Sequence, residues 1–123
     1  MRPREFIEVL DDPSLPKCGV TCEQAEILRT LLVHLFFIDR DLDKGELALL
    51  ARVLPDVNIR EYVKAAATRR LDLDRLTLLF PEPADRDDIV TLAEHAVWSD
   101  NKVEARELAL LDRLVEKLDV RRS

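Results

Sequence analysis

Residues 30–52 read TLLVHLFFIDRDLDKGELALLAR, and residues 91–113 read TLAEHAVWSDNKVEARELALLDR. The second stretch is the first displaced by 61 positions, without a gap. Thr30, Leu31, His34, Asp39, Glu46, Leu47, Ala48, Leu49, Leu50 and Arg52 fall on Thr91, Leu92, His95, Asp100, Glu107, Leu108, Ala109, Leu110, Leu111 and Arg113. Phe37 falls on Trp98, an aromatic pair, and the two histidines of the chain fall on each other. The matched Asp, Glu and His are not core-forming types, so two amphipathic helices do not produce this agreement by chance. Two copies are too few for a solenoid. The expected architecture is all-α: about seven helices in a compact pseudo-twofold bundle built from two helix-turn-helix repeats. Residues 1–123 read as a single domain, with repeat units at about 22–55 and 85–119.

Each copy reads as helix, short acidic turn, helix. The first helix is expected from Glu23 to about Ile38, with Thr21 as N-cap and Gln24 completing a capping box. Around LLVHLFFI it is apolar on nearly every side, which marks it as the central, buried helix. After the turn DRDLDKGE, Leu47, Leu50, Ala51 and Leu54 form the next stripe, and Pro55 ends it. The second copy is expected to start at Asp85 and to repeat Ile89, Leu92, Ala93, Ala96 and Val97 at helical spacing. Its turn is SDNKVEARE, and its last helix carries Leu108, Leu111, Leu114, Val115 and Leu118. Three further helices complete the seven. One covers residues 3–11, anchored by Phe6, Ile7, Val9 and Leu10. Asn58 caps IREYVKAAATRRL. Asp72 caps LDRLTLLF, which Pro81 and Pro83 close. PEPADRDD is the most linker-like stretch but is too short to separate domains.

Composition agrees with helices and bounds function. Apolar residues make up 47% and charged residues 36%, with only 2 Gly in the chain. Many Leu, Ala, Glu and Arg with few aromatics favour helix over sheet. Net charge is −6, from 25 acids and 19 bases, which lacks the basic footprint of a nucleic-acid binder. Protein partners are expected, reaching a membrane through a partner at most, with no direct membrane insertion. The start of the chain has no apolar signal core, so a cytoplasmic location is expected. No phosphate-cradling Gly-rich loop, nucleophile elbow or dinucleotide fingerprint is present, and no enzyme class is indicated.

The two turns concentrate the candidate chemistry. Asp39, Asp41, Asp43 and Glu46 offer carboxylate oxygens within one turn, opposed by Arg40 and Lys44. Calcium takes about six to eight oxygens, so a weak divalent-cation site, calcium first, is one reading. In the second turn Asp100, Glu104 and Glu107 make a sparser set against Lys102 and Arg106. The competing reading is structural: Asp as an Asx turn, and Glu reaching back to the N-cap amide. The order of acids is not that of an EF-hand. His34 and His95 read as half-buried, hydrogen-bonded side chains. Cys18 and Cys22, four apart, match neither the redox nor the zinc spacing. The expected function is that of a non-enzymatic interaction or sensor domain; a thiol-based detoxifying protein or small enzyme using Cys18 and Cys22, and a purely structural adaptor without ligand, stand as the alternatives.

The repeated pattern, apolar helix, Asp, two residues, apolar, three residues, Glu-Leu and a second Leu, resembles that of the TerB-like tellurite-resistance family. WSDNKVEARELALLDRLVEKL is the closer match and FIDRDLDKGELALLARVL the looser. The resemblance spans roughly residues 22–118 and implies a compact pseudo-symmetric helical domain associated with stress response and divalent-metal binding. Carried over, the motif acids are Asp39, Glu46, Asp100 and Glu107. The motif glycine is Arg40 in the first copy and Asn101 in the second. Asn tolerates a left-handed backbone and Arg does so poorly, so the two loops are expected to differ in shape.

Overall fold

The computed structural model describes residues 3–12, 14, 22–36, 51–54, 58–98 and 105–119, apart from the side chains of residues 36, 106 and 107. Everything regular among them is helical: α1 (Pro3–Asp11), α2 (Glu23–Phe36), α3 (Ile59–Thr68), α4 (Leu73–Leu79), α5 (Pro83–Trp98) and α6 (Ala105–Leu118). Residues 51–53 are also helical and lead into a bend at Leu54. The described residues are all-α, as composition and periodicity lead one to expect. Among the described residues no helix is long and apolar enough to cross a membrane.

α2 is the central helix. Its run from Leu28 to Val33 is buried residue by residue, and Leu35 follows it into the interior. A helix apolar all round can be covered only by neighbours on several sides. Here α3, α4 and α5 all pack on it. α5 is the second long core helix. It buries Ile89, Val90, Leu92, Ala93, Ala96 and Val97, and it carries α1 and α6 on its other flanks. α1 anchors through Phe6 and Val9, with Ile7 and Leu10 half-covered beside them.

Local signals set most helix ends. Asn58 caps α3 by accepting from the Glu61 amide at 3.2 Å, and Asp72 caps α4 by accepting from the Arg75 amide at 3.1 Å. α6 ends at Asp119, whose φ of 54° is left-handed, a conformation Asp tolerates better than most residues.

The start of α5 differs from expectation, and Thr21, expected to cap α2, lies outside the described residues. Cys22 directly precedes α2. Its carbonyl accepts from the Glu26 amide at 2.9 Å, and its Sγ from the Ala25 amide at 3.4 Å. Gln24 Nε2 crosses to the Leu79 carbonyl at 2.9 Å. Pro83, read as a stop, instead opens α5, where a residue without an N–H leaves no helical bond unmade.

The core expectations hold at Leu31, Leu35, Leu92 and Ala96, while Leu50 lies outside the described residues. α6 is phased differently. Leu114 and Leu118 are its buried pair, Leu111 is half-buried, and Leu108 is 40% exposed. Leu108 sits in the first turn, about 120° round the helix from Leu114, at the edge of the stripe.

α4 is held by its neighbours' polar side chains. Arg86, from the first turn of α5, donates through Nε to the Phe80 carbonyl (2.8 Å) and through Nη2 to the Thr77 carbonyl (3.2 Å). Arg75 pairs with Glu23 of α2, and Asp74 pairs with Lys117 of α6. Phe80 and Leu76 supply its buried apolar contact.

Candidate functional site

The polar centre of the molecule lies on the same helix as its apolar centre. Glu26, Thr30 and His34 recur every four residues along α2 and share a face, with Arg29 beside them, three residues after Glu26. Arg29 is fully buried. Its Nη1 donates to Glu26 Oε1 at 2.8 Å and its Nε to the Val53 carbonyl at 2.5 Å. The guanidinium also lies over the Phe6 ring, 5.9 Å from the centroid, within cation–π range. A buried guanidinium is tolerated only with such partners.

The other oxygen of Glu26 gathers α3. Tyr62 Oη donates to Oε2 at 2.9 Å, and Arg69 Nη1 stands 3.5 Å from the same atom. One step further along α2, His34 Nε2 meets the Arg69 carbonyl at 2.9 Å and the Ala66 carbonyl at 3.3 Å. Carbonyls only accept, so the proton is on Nε2, and His34 closes the C-terminal end of α3. Its repeat partner His95 does a different job at the surface. Its Nδ1 lies 3.4 Å from Asp11 Oδ1, at the end of α1.

Burial, and the hydrogen bond to Glu26, push the Tyr62 phenol well above its ordinary range. The native state therefore prefers the neutral phenol. Its contribution to stability is present below about pH 10 and is lost as pH rises beyond it. Tyr62 is the only tyrosine of the chain, so tyrosinate absorbance reports on this site alone. In an alkaline titration tyrosinate is expected to appear only together with loss of helix by circular dichroism. A reversible titration near pH 10 with the helices intact would contradict this account of the network.

Two depressions open on either side of the connection between α3 and α4. A pocket of about 190 Å³ has Ile27, Leu71 and Leu79 among its lining, with Glu26 and Thr30 at its α2 side. A wider groove of about 790 Å³ runs between α4 and α6. Leu78, 74% exposed, is at its lip, and Arg70, Leu71 and Asp72 line both openings. Compared with models of known protein families, with curated proteins and with solved structures, the chain matches none.

Asp39, Asp41, Asp43, Glu46, Asp100 and Glu104 lie outside the described residues, as does the side chain of Glu107, a residue of α6. Among the described residues no group of three or more His, Cys, Asp or Glu is placed to hold a metal ion. Cys18 is likewise outside them. Cys22 is half-buried, and its Sγ accepts from the Ala25 amide at 3.4 Å.

Sequence reasoning missed the Glu26–Arg29–Tyr62 cluster. The signal was available: Arg29 interrupts a run of leucines on the helix expected to be buried all round. A charged residue in that position needs a partner, and Glu26, three residues earlier, is the nearest.

Proposed function

We propose that the chain is a non-catalytic helical interaction and sensor domain of the TerB-like type. It works in the cytoplasm through protein partners, and the turn carrying Asp39, Asp41, Asp43 and Glu46 binds calcium weakly. The two repeats form a pseudo-twofold pair, with Asp100, Glu104 and Glu107 as a weaker counterpart of the first acidic turn. The observation that carries the reading is the packing of α2 directly on α5. These are the helices that lead into the two acidic turns, and the halves of a pseudo-twofold bundle are expected to meet there. The polar groups of α2 support a scaffold role, since Glu26, Arg29 and His34 are engaged in joining helices.

Melting curves with chelator, and then with millimolar calcium, test the proposal on wild type and Asp39→Asn. Calcium is expected to raise the melting temperature of wild type and to leave the variant unmoved. At a hundredfold excess over the dissociation constant the stabilisation is about 2.7 kcal/mol. Four acids against two bases give a weak local field, so affinity is expected at the weak, sub-millimolar to millimolar end of the calcium range. Asp39→Asn keeps an acceptor for backbone amides, so a cap-only role leaves the variant near wild type without calcium. Identical shifts in the two proteins would remove the cation site and leave the acids as caps.

A further inference from the structure

Leu78 is 74% exposed, more than any other large apolar side chain among the described residues. It stands on α4, at the lip of the groove of about 790 Å³ between α4 and α6. Half-buried Leu71 and Leu73 give that groove an apolar lining. A single exposed leucine is ordinary. A leucine beside a groove lined with leucine and fringed with charge is a surface that can be covered. The charges are sorted by helix. Asp72 and Asp74 lie on the α4 edge, Arg113 and Lys117 on the α6 edge, and Arg70 and Glu116 offset each other. The lining sums to zero in a chain of net charge −6, so two copies repel over the rest of their surface and least here.

We infer that two copies of the chain associate about a twofold axis, with Leu78 of each entering the α4–α6 groove of the other. A twofold contact makes every pairing twice. It sets the acidic α4 edge of one copy against the basic α6 edge of the other, and the reverse. A partner carrying charge of one sign would leave half of these edges unmatched. Within one copy Asp74 already pairs with Lys117, but both side chains are exposed, and pairs of that kind contribute little to stability. They can therefore exchange partners across the axis at small cost. α4 is seven residues, about 10 Å long, so the contact is small and the dimer belongs to the weak, transient class.

The test is sedimentation equilibrium of the whole chain at concentrations up to about 1 mM. Wild type is expected to move from monomer towards dimer across that range. Leu78→Gln removes the apolar contact without adding charge, and is expected to weaken the dimer at least about tenfold. Trp98→Gln alters another exposed apolar side chain, outside the groove, and is expected to leave the dimer unchanged. Arg113→Glu and Arg60→Glu shift the net charge equally, but only Arg113 lines the groove, so the first is expected to weaken the dimer more than the second. All four side chains are exposed, and each variant is expected to keep the circular dichroism of wild type. A wild type that stays monomeric throughout would overturn the proposal and leave the groove to a different protein. Undiminished dimerisation in Leu78→Gln would overturn it too. So would a loss in Trp98→Gln as large as in Leu78→Gln, or equal weakening by Arg113→Glu and Arg60→Glu.

Discussion

Glu26→Ala is expected to destabilise the chain by about 3 kcal/mol, the lower end of the range for removing one partner of a buried pair. The substitution strips Arg29 Nη1 of its carboxylate while the guanidinium stays fully buried, over the Phe6 ring and against the Val53 carbonyl. It also removes the acceptor of the Tyr62 hydroxyl. The loss stays at the lower end because Glu26 is 35% exposed, and water reaches part of what its carboxylate leaves behind. In Glu26→Leu combined with Arg29→Met, both charges go together, and part of the loss is expected to return. Urea denaturation of the single and double variants measures both terms. A loss below about 1 kcal/mol for Glu26→Ala would show that the guanidinium does not depend on this carboxylate.

Leu31→Ala and Leu92→Ala are each expected to cost about 2–5 kcal/mol. Both side chains are fully buried, one on α2 and one on α5, and both helices are enclosed by neighbours that cannot all collapse into the space left. That is a large share of the roughly 5–15 kcal/mol that holds a domain together. Leu108→Ala is the control. At 40% exposed it is expected to cost about 0.5 kcal/mol or less, as surface substitutions do. Equal losses at Leu31 and Leu108 would overturn the assignment of the core.

Periodicity made the helices legible, because burying a stripe of leucines is the dominant requirement of a chain this size. Leu28, Leu31, Leu32 and Leu35 announced the central helix, and Asn58 and Asp72 announced the starts of α3 and α4, each accepting from the amide three residues on. At α2 the expected cap, Thr21, lies outside the described residues, while the Cys22 carbonyl and sulfur take the amides of Glu26 and Ala25, a role that cysteine does not announce. Pro83 was misread. Proline both ends and begins helices, and only what precedes it decides which. The cluster on Glu26 was hidden because arginine is ordinarily read as a surface residue. Tyr62 is 36 residues from Glu26, Val53 is 24 from Arg29, and no local pattern connects them.

The fastening of α4 bears on what that helix depends on. Seven residues are too few to hold a helix in isolation, since nucleation is costly and only a few bonds follow it. The carbonyls at its end find donors in Gln24, 55 residues upstream of Leu79, and in Arg86 on α5. Arg86 is six residues from Phe80 and reaches it locally, but Gln24 is in position only where α4 lies against α2. α4 is therefore a helix whose existence depends on its neighbours, and the pocket and the groove, which both take lining from it, share that dependence.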